Sequence, residues 1–107
     1  MAEMEDMEAT VVELVVEAGN ARSCAIEAIR QARDGNFREA DRLMAECDQA
    51  LIEAHRSQAS AIQAEINGEK NMVTLLMVHA QDHIMNAITV QDLAKEMIEI
   101  LKKEETR

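Results

Sequence analysis

Residues 34–54 read DGNFREADRLMAECDQALIEA, and the spacing inside that stretch decides the fold. After the turn signal Asp34-Gly35-Asn36, the residues Phe37, Ala40, Met44, Cys47, Leu51 and Ala54 recur at alternating steps of three and four, the interval of a helix packed along a seam. Gly35 suits the left-handed position that closes a preceding helix, Arg30 and Arg33 suit that helix's negative C-terminal end, and Asn36 suits the cap of the next. A helical hairpin turning at Gly35 follows. Upstream, Val11, Val12, Leu14, Val15, Ala18, Ala21, Ala25, Ala28, Ile29 and Ala32 supply the facing helix, about residues 5–33. Downstream, the second helix is expected over about 37–66, where Asn67-Gly68 and the polar pair Glu69-Lys70 mark another turn. A third segment covers about 71–103.

The composition agrees with helices throughout. The chain of 107 residues has no Pro, Trp or Tyr, one Phe and three Gly, so a sandwich or barrel would lack both its turn residues and its usual strand residues. The length is right for one domain, 1–107. The expected fold class is all-α, an antiparallel three-helix bundle, with residues 1–8 frayed. Eleven Lys and Arg stand against 21 Asp and Glu, a formal net charge of -10, which argues against nucleic-acid and anionic-membrane partners. The longest uncharged apolar stretch, Asn71 to Gln81, is far short of the ~18 residues that span a bilayer. Glu3, Glu5, Asp6 and Glu8, without Lys or Arg, are the reverse of a secretory leader, so a cytoplasmic location is expected. Cys24 and Cys47 are too few for a disulfide scaffold. Both read as reduced, buried thiols in neighbouring layers of the first hairpin.

In the third segment Met72, Val73, Leu75, Leu76, Met77 and Val78 point around the whole circumference of a helix. A helix apolar on all sides is buried on all sides, so its second face is expected to be covered by further copies of the chain around a cyclic axis. Within that apolar run stands His79-Ala80-Gln81-Asp82-His83. At ~100° per residue, His83 lies about 40° from His79 and Asp82 about 60° to its other side, which makes one cluster of three side chains. Three chemistries suit it: core histidines satisfied by hydrogen bonds, a zinc site at i and i+4, or a histidine nucleophile that takes up and hands on a phosphoryl group.

The run from Val73 to Met85 resembles the active-site helix of the lactose/cellobiose family of enzyme IIA proteins in the bacterial sugar phosphotransferase system, with His79-Ala80-Gln81-Asp82-His83 as its core. Gly19-Asn20-Ala21-Arg22-Ser23 is similar to the family's G-x-A-R-S, Gly35-Asn36-Phe37 with Ala40 to its G-[DN]-F-x-x-A, and Glu53-Ala54-His55 with Gln58 to its E-A-H-x-x-Q. The resemblance runs from about Val12 to Lys102 and implies a homotrimer of three-helix subunits with the third helices around the axis. It implies that His79 is phosphorylated by the histidine phosphocarrier protein (HPr) and passes the group to a cysteine of enzyme IIB during uptake of a disaccharide of the cellobiose, diacetylchitobiose or lactose type. Ala80 leans toward the first two, since lactose-type members tend to have Gly there. Asp82 matches the position at the trimer axis where a divalent cation, Mg, is held, and a hard cation suits carboxylates and water. Gln81 and His83 would be supporting groups. Gln81 lies on a different face from His79 and can reach only another helix or subunit.

His55 counts into the same layer as Asp82 and His83 and reads as structural. Arg30, Arg33, Arg38 and Arg42 gather at the first turn and read as a solvated, ion-paired end. The rival functions are a non-catalytic helical adaptor, a metal-binding oligomer and a histidine phosphotransfer domain of two-component signalling. Only the first leaves the histidine and carboxylate cluster unexplained.

Overall fold

The computed structural model describes residues 2–68 and 73–107, with the side chains of Ala9 and of Val11 onward within them. Three helices follow one another: α1 (Ala2–Arg33), α2 (Phe37–Ile66) and α3 (Leu75–Glu105). They form an elongated bundle of 58 × 24 × 19 Å, as three helices of about 45 Å laid side by side require. No helix of the described residues is long and apolar enough to cross a membrane.

The buried seam of α1 is a ridge of alanines, Ala18, Ala21, Ala25, Ala28 and Ala32. Alanine has no side chain to hold another helix away and loses no rotamer freedom on burial, so α2 and α3 both pack closely along α1. They meet each other far less. The α2 seam holds the residues expected from the spacing, Ala40, Met44, Cys47, Leu51 and Ala54 with Phe37 partly buried, and adds Leu43 beside Met44 and, one step further along, Gln58. On α3 the seam is Ala80, Ile84, Ala87, Ala94 and Ile98. Its missing step is filled by Gln91, which donates to Asp48 of α2. Lys95 also pairs with Asp48 at 3.3 Å and Lys102 with Asp41 at 3.1 Å, so polar ties lie along the outer edge of the α2–α3 contact.

The first turn is a Schellman closure. Asn36 N–H donates to the Gln31 carbonyl at 2.8 Å and Gly35 N–H to that of Ala32 at 3.0 Å, with Gly35 at φ +85°. Asn36 stands at the cap position of α2 but its side chain does not cap; its amide donates to Gln31 at 3.0 Å instead. Arg42 lies between Glu39 and Glu46, which raises its guanidinium pKa and holds the Glu39 carboxyl below the usual carboxylate range. Arg30 pairs with Glu27 and Arg33 with Asp34.

Three expectations are corrected. Residues 2–8 are helical rather than frayed, since Ala, Glu and Met favour helix and acidic residues suit the positive end; Met1 lies outside the described residues. Helix α3 begins at Leu75 rather than about 71, because the Thr74 hydroxyl accepts from Met77 N–H at 3.1 Å and caps it; residues 71 and 72 lie outside the described residues. Cys24 is only partly buried and donates to Glu46 at 3.6 Å. Cys47 is fully buried, and both thiols are free.

Two measurements check this packing. Gly35→Ala should lower stability by about 1 kcal/mol, the cost of a left-handed residue with a Cβ. Gly19→Ala, in mid-helix with open space around the new methyl, should raise it by roughly 0.5–1 kcal/mol; urea unfolding gives both signs. Burial, reinforced by Asp48 and Cys24, pushes the Cys47 thiol from its ordinary 9.0 up to about 11. A raised pKa in the fold stabilises fully below pH 9 and fades as pH climbs through 11. The stability advantage of the parent over Cys47→Ala should therefore shrink across that window.

Candidate functional site

Helix α3 carries two apolar stripes. At ~100° per residue, Val78, Asp82, Met85, Leu93 and Ile100 fall in an arc of about 80° whose centre is about 180° from the buried seam. The apolar members of that arc are all exposed, Val78 at 52%, Met85 at 52%, Leu93 at 53% and Ile100 at 63%. Asp82 lies near the middle of the arc, exposed, and no hydrogen bond or ion pair reaches it among the described residues. Exposed large apolar side chains also include Ile62 and Ile66 of α2 and Val12 and Val16 of α1. So much apolar surface on one small chain marks a face made for contact.

His79 and His83 stand on one flank of the outer stripe, between it and the seam. Their rings touch edge to face, with centroids 4.4 Å apart and planes at 77°. His79 is exposed and His83 partly buried, so the inner ring supports the outer one and limits its rotation. Because a helical Cβ points back toward the N-terminus, a group carried on His79 leans over the capped first turn of α3. Oriented backbone amides there favour negative charge.

Gln81 stands on the opposite flank and faces α2. Its carbonyl oxygen accepts from Gln58 Nε2 at 2.8 Å, and its own amide lies 3.8 Å from the Met77 sulfur. Gln58 Nε2 also approaches the Met85 sulfur at 3.4 Å. Gln81 thus reaches a second helix, as its place on α3 requires. The Gln58 partnership is the part missed at the sequence level. The place of Gln58 was legible, as the next step of four after Ala54 on a seam otherwise apolar; its partner was not.

Asp82 does not close a three-membered cluster with the histidines. Among the described residues no three of His, Cys, Asp and Glu are placed to hold a metal ion, because the 60° that separates Asp82 from His79 turns it onto the outer stripe. Zinc held by His79, His83 and Asp82 of one chain is therefore not built. His55 is exposed rather than structural, while Gln58, nearly one turn later, makes the inter-helix bond.

Over residues 9–102 the sequence matches the profile described as PTS system, Lactose/Cellobiose specific IIA subunit. The chain belongs to this lactose/cellobiose IIA family. It is a phosphotransferase component. Among its relatives, the lichenan-specific phosphotransferase enzyme IIA component of Bacillus subtilis is 46% identical over 99 residues, covering 92% of this chain and 90% of that one. The N,N'-diacetylchitobiose-specific EIIA component of Escherichia coli is 39% identical over 101 residues, covering 94% and 87%. The crystal structure of the cellobiose-specific enzyme IIA of Bacillus anthracis superposes with a TM-score of 0.84 at 46% identity, covering 91% of this chain and 89% of that one. The IIA chain in solution structures of the Escherichia coli IIA(chitobiose)–HPr complex gives 0.78 at 37% identity, covering 92% and 95%.

The exposure order of the imidazoles in this IIA chain is testable. Diethyl pyrocarbonate should acylate His79 and His55 ahead of His83, followed by peptide mass spectrometry. Equal protection of His79 and His83 would contradict the geometry.

Proposed function

We propose that this IIA chain is a cytoplasmic phosphoryl carrier that accepts phosphate on His79 from phosphorylated HPr and passes it to a cysteine of enzyme IIB during disaccharide uptake. The observation that carries the reading is the exposed His79 ring, braced edge-on by His83 at the border of an uncovered apolar face. In each step a nucleophile attacks phosphorus in line: the imidazole nitrogen forms the new N–P bond as the bond to the donor nitrogen breaks, and the thiolate then attacks that phosphorus, forming an S–P bond as the bond to the His79 nitrogen breaks and the imidazole leaves. Such transfers need positioning more than covalent machinery. A brace that limits ring rotation supplies it, and the capped helix start offsets part of the ~2 negative charges a phosphoryl group brings.

The outer stripe supports a homotrimer. Three α3 helices meeting along Val78, Met85, Leu93 and Ile100 would bury the exposed apolar side chains while leaving the His79 flank at a cleft between copies. Asp82 then comes three times to the axis. One chain offers a single carboxylate there, so a cation fits only in the assembly, held by three copies of Asp82 and water. A hard divalent ion such as Mg suits those oxygens and would offset their mutual repulsion. Mg would supply charge compensation near the phosphoryl site. The relatives named for lichenan and diacetylchitobiose favour a β-linked disaccharide or a short oligosaccharide as the transported sugar.

Incubation with phosphoenolpyruvate, enzyme I and HPr should add one acid-labile phosphate per chain, and His79→Gln should abolish the uptake with the circular dichroism spectrum unchanged. Retained labelling would refute the assignment. Asp82→Leu should leave the assembly intact with equal or greater thermal stability, since apolar packing replaces converging charge, and should remove any stabilisation by Mg. Dissociation of that variant would count against the axial position of Asp82.

A further inference from the structure

Gln58 is the one buried polar side chain among the described residues. A primary amide in a seam costs free energy unless its bonds are made, and here they are. Nε2 donates to Gln81 at 2.8 Å and lies 3.4 Å from the Met85 sulfur, while the Gln81 amide turns to Met77. Two amides and two thioethers thus tie α2 to the start of α3. Ala80 is the sole buried residue of α3 ahead of Ile84, and an alanine sets the spacing of two helices without fixing their rotation. The other polar ties between α2 and α3, from Asp48 to Gln91 and Lys95 and from Asp41 to Lys102, lie further along.

His79 is two residues before Gln81 on the same rigid helix. A ring about 6 Å from the helix axis moves about 1 Å for each 10° of helix rotation, a displacement that can cost about a hundredfold in rate. We infer that Gln58 is a positioning residue for phosphoryl transfer: its bond to Gln81 sets the rotation of the first turns of α3 and so the direction of the His79 imidazole. The inference rests on the assignment of His79 as the phosphoryl acceptor.

The test is a double-mutant cycle on the assembled protein, with steady-state transfer from phosphorylated HPr as readout. Gln58→Met and Gln81→Met should each lower kcat about tenfold with KM for HPr unchanged, and the double variant should be no slower than either single one. The thermal midpoint of Gln58→Met should equal or exceed that of the parent, because a thioether replaces a buried amide without leaving a gap. Parental kcat in Gln58→Met, a change in KM alone, or losses that multiply in the double variant would each overturn the inference. If Gln58→Met fails to fold by circular dichroism, Gln58→Leu repeats the cycle with the same expected and contrary results. If the parent itself carries no phosphate on His79, the carrier assignment fails instead, and the inference with it.

Discussion

Everything in this bundle depends on how closely two helices can approach α1. The ridge of Ala18, Ala21, Ala25, Ala28 and Ala32 is fully or almost fully buried, and it gives α2 and α3 a shared, shallow floor. A core made of alanine carries little apolar area per residue, so burial inside one chain contributes modestly to stability. Larger apolar side chains are instead found outside, on Val78, Met85, Leu93 and Ile100 of α3. The chain has, in effect, moved part of its hydrophobic stabilisation from its own interior to a face that only another molecule can cover.

That distribution explains where the chemistry sits. A helix with one stripe toward its own bundle and another opposite has two narrow flanks between them, and both flanks of α3 carry polar side chains. His79 and His83 take one flank, ring against ring; Gln81 takes the other, bonded to Gln58. In the proposed assembly the His79 imidazole would be close to two packed surfaces yet open to a visiting protein. The same side chain on the seam would be sealed, and on a fully solvated face it would be unbraced.

Much of this was legible in the sequence because helix periodicity is a local property. The alternation from Phe37 to Ala54 named the α2 seam except for Leu43, and Gly35 marked the turn that its φ of +85° confirms. The departures come where a side chain had a choice of partners. Asn36 could bond its own helix start or Gln31, and only the folded turn decides that it donates to Gln31. Thr74 is not legible as a cap, because it sits inside an apolar run. A helical wheel groups Asp82 with the histidines because three residues within a turn are neighbours on it; which stripe each one faces depends on the angle of the seam, a tertiary quantity. Gln58 was legible as a family motif residue but not as a partner of Gln81, since the pairing of two amides across helices leaves no periodic trace.

The central claim is that the outer stripe of α3 is a self-contact and that the protein works as three copies. Sedimentation equilibrium of the purified chain tests it most directly. The expected result is a single species of about three times the 12.0 kDa chain mass, unchanged on dilution through the micromolar range. A stable species of one chain would contradict it, because the exposed apolar face and Asp82 would then have to be accommodated in water.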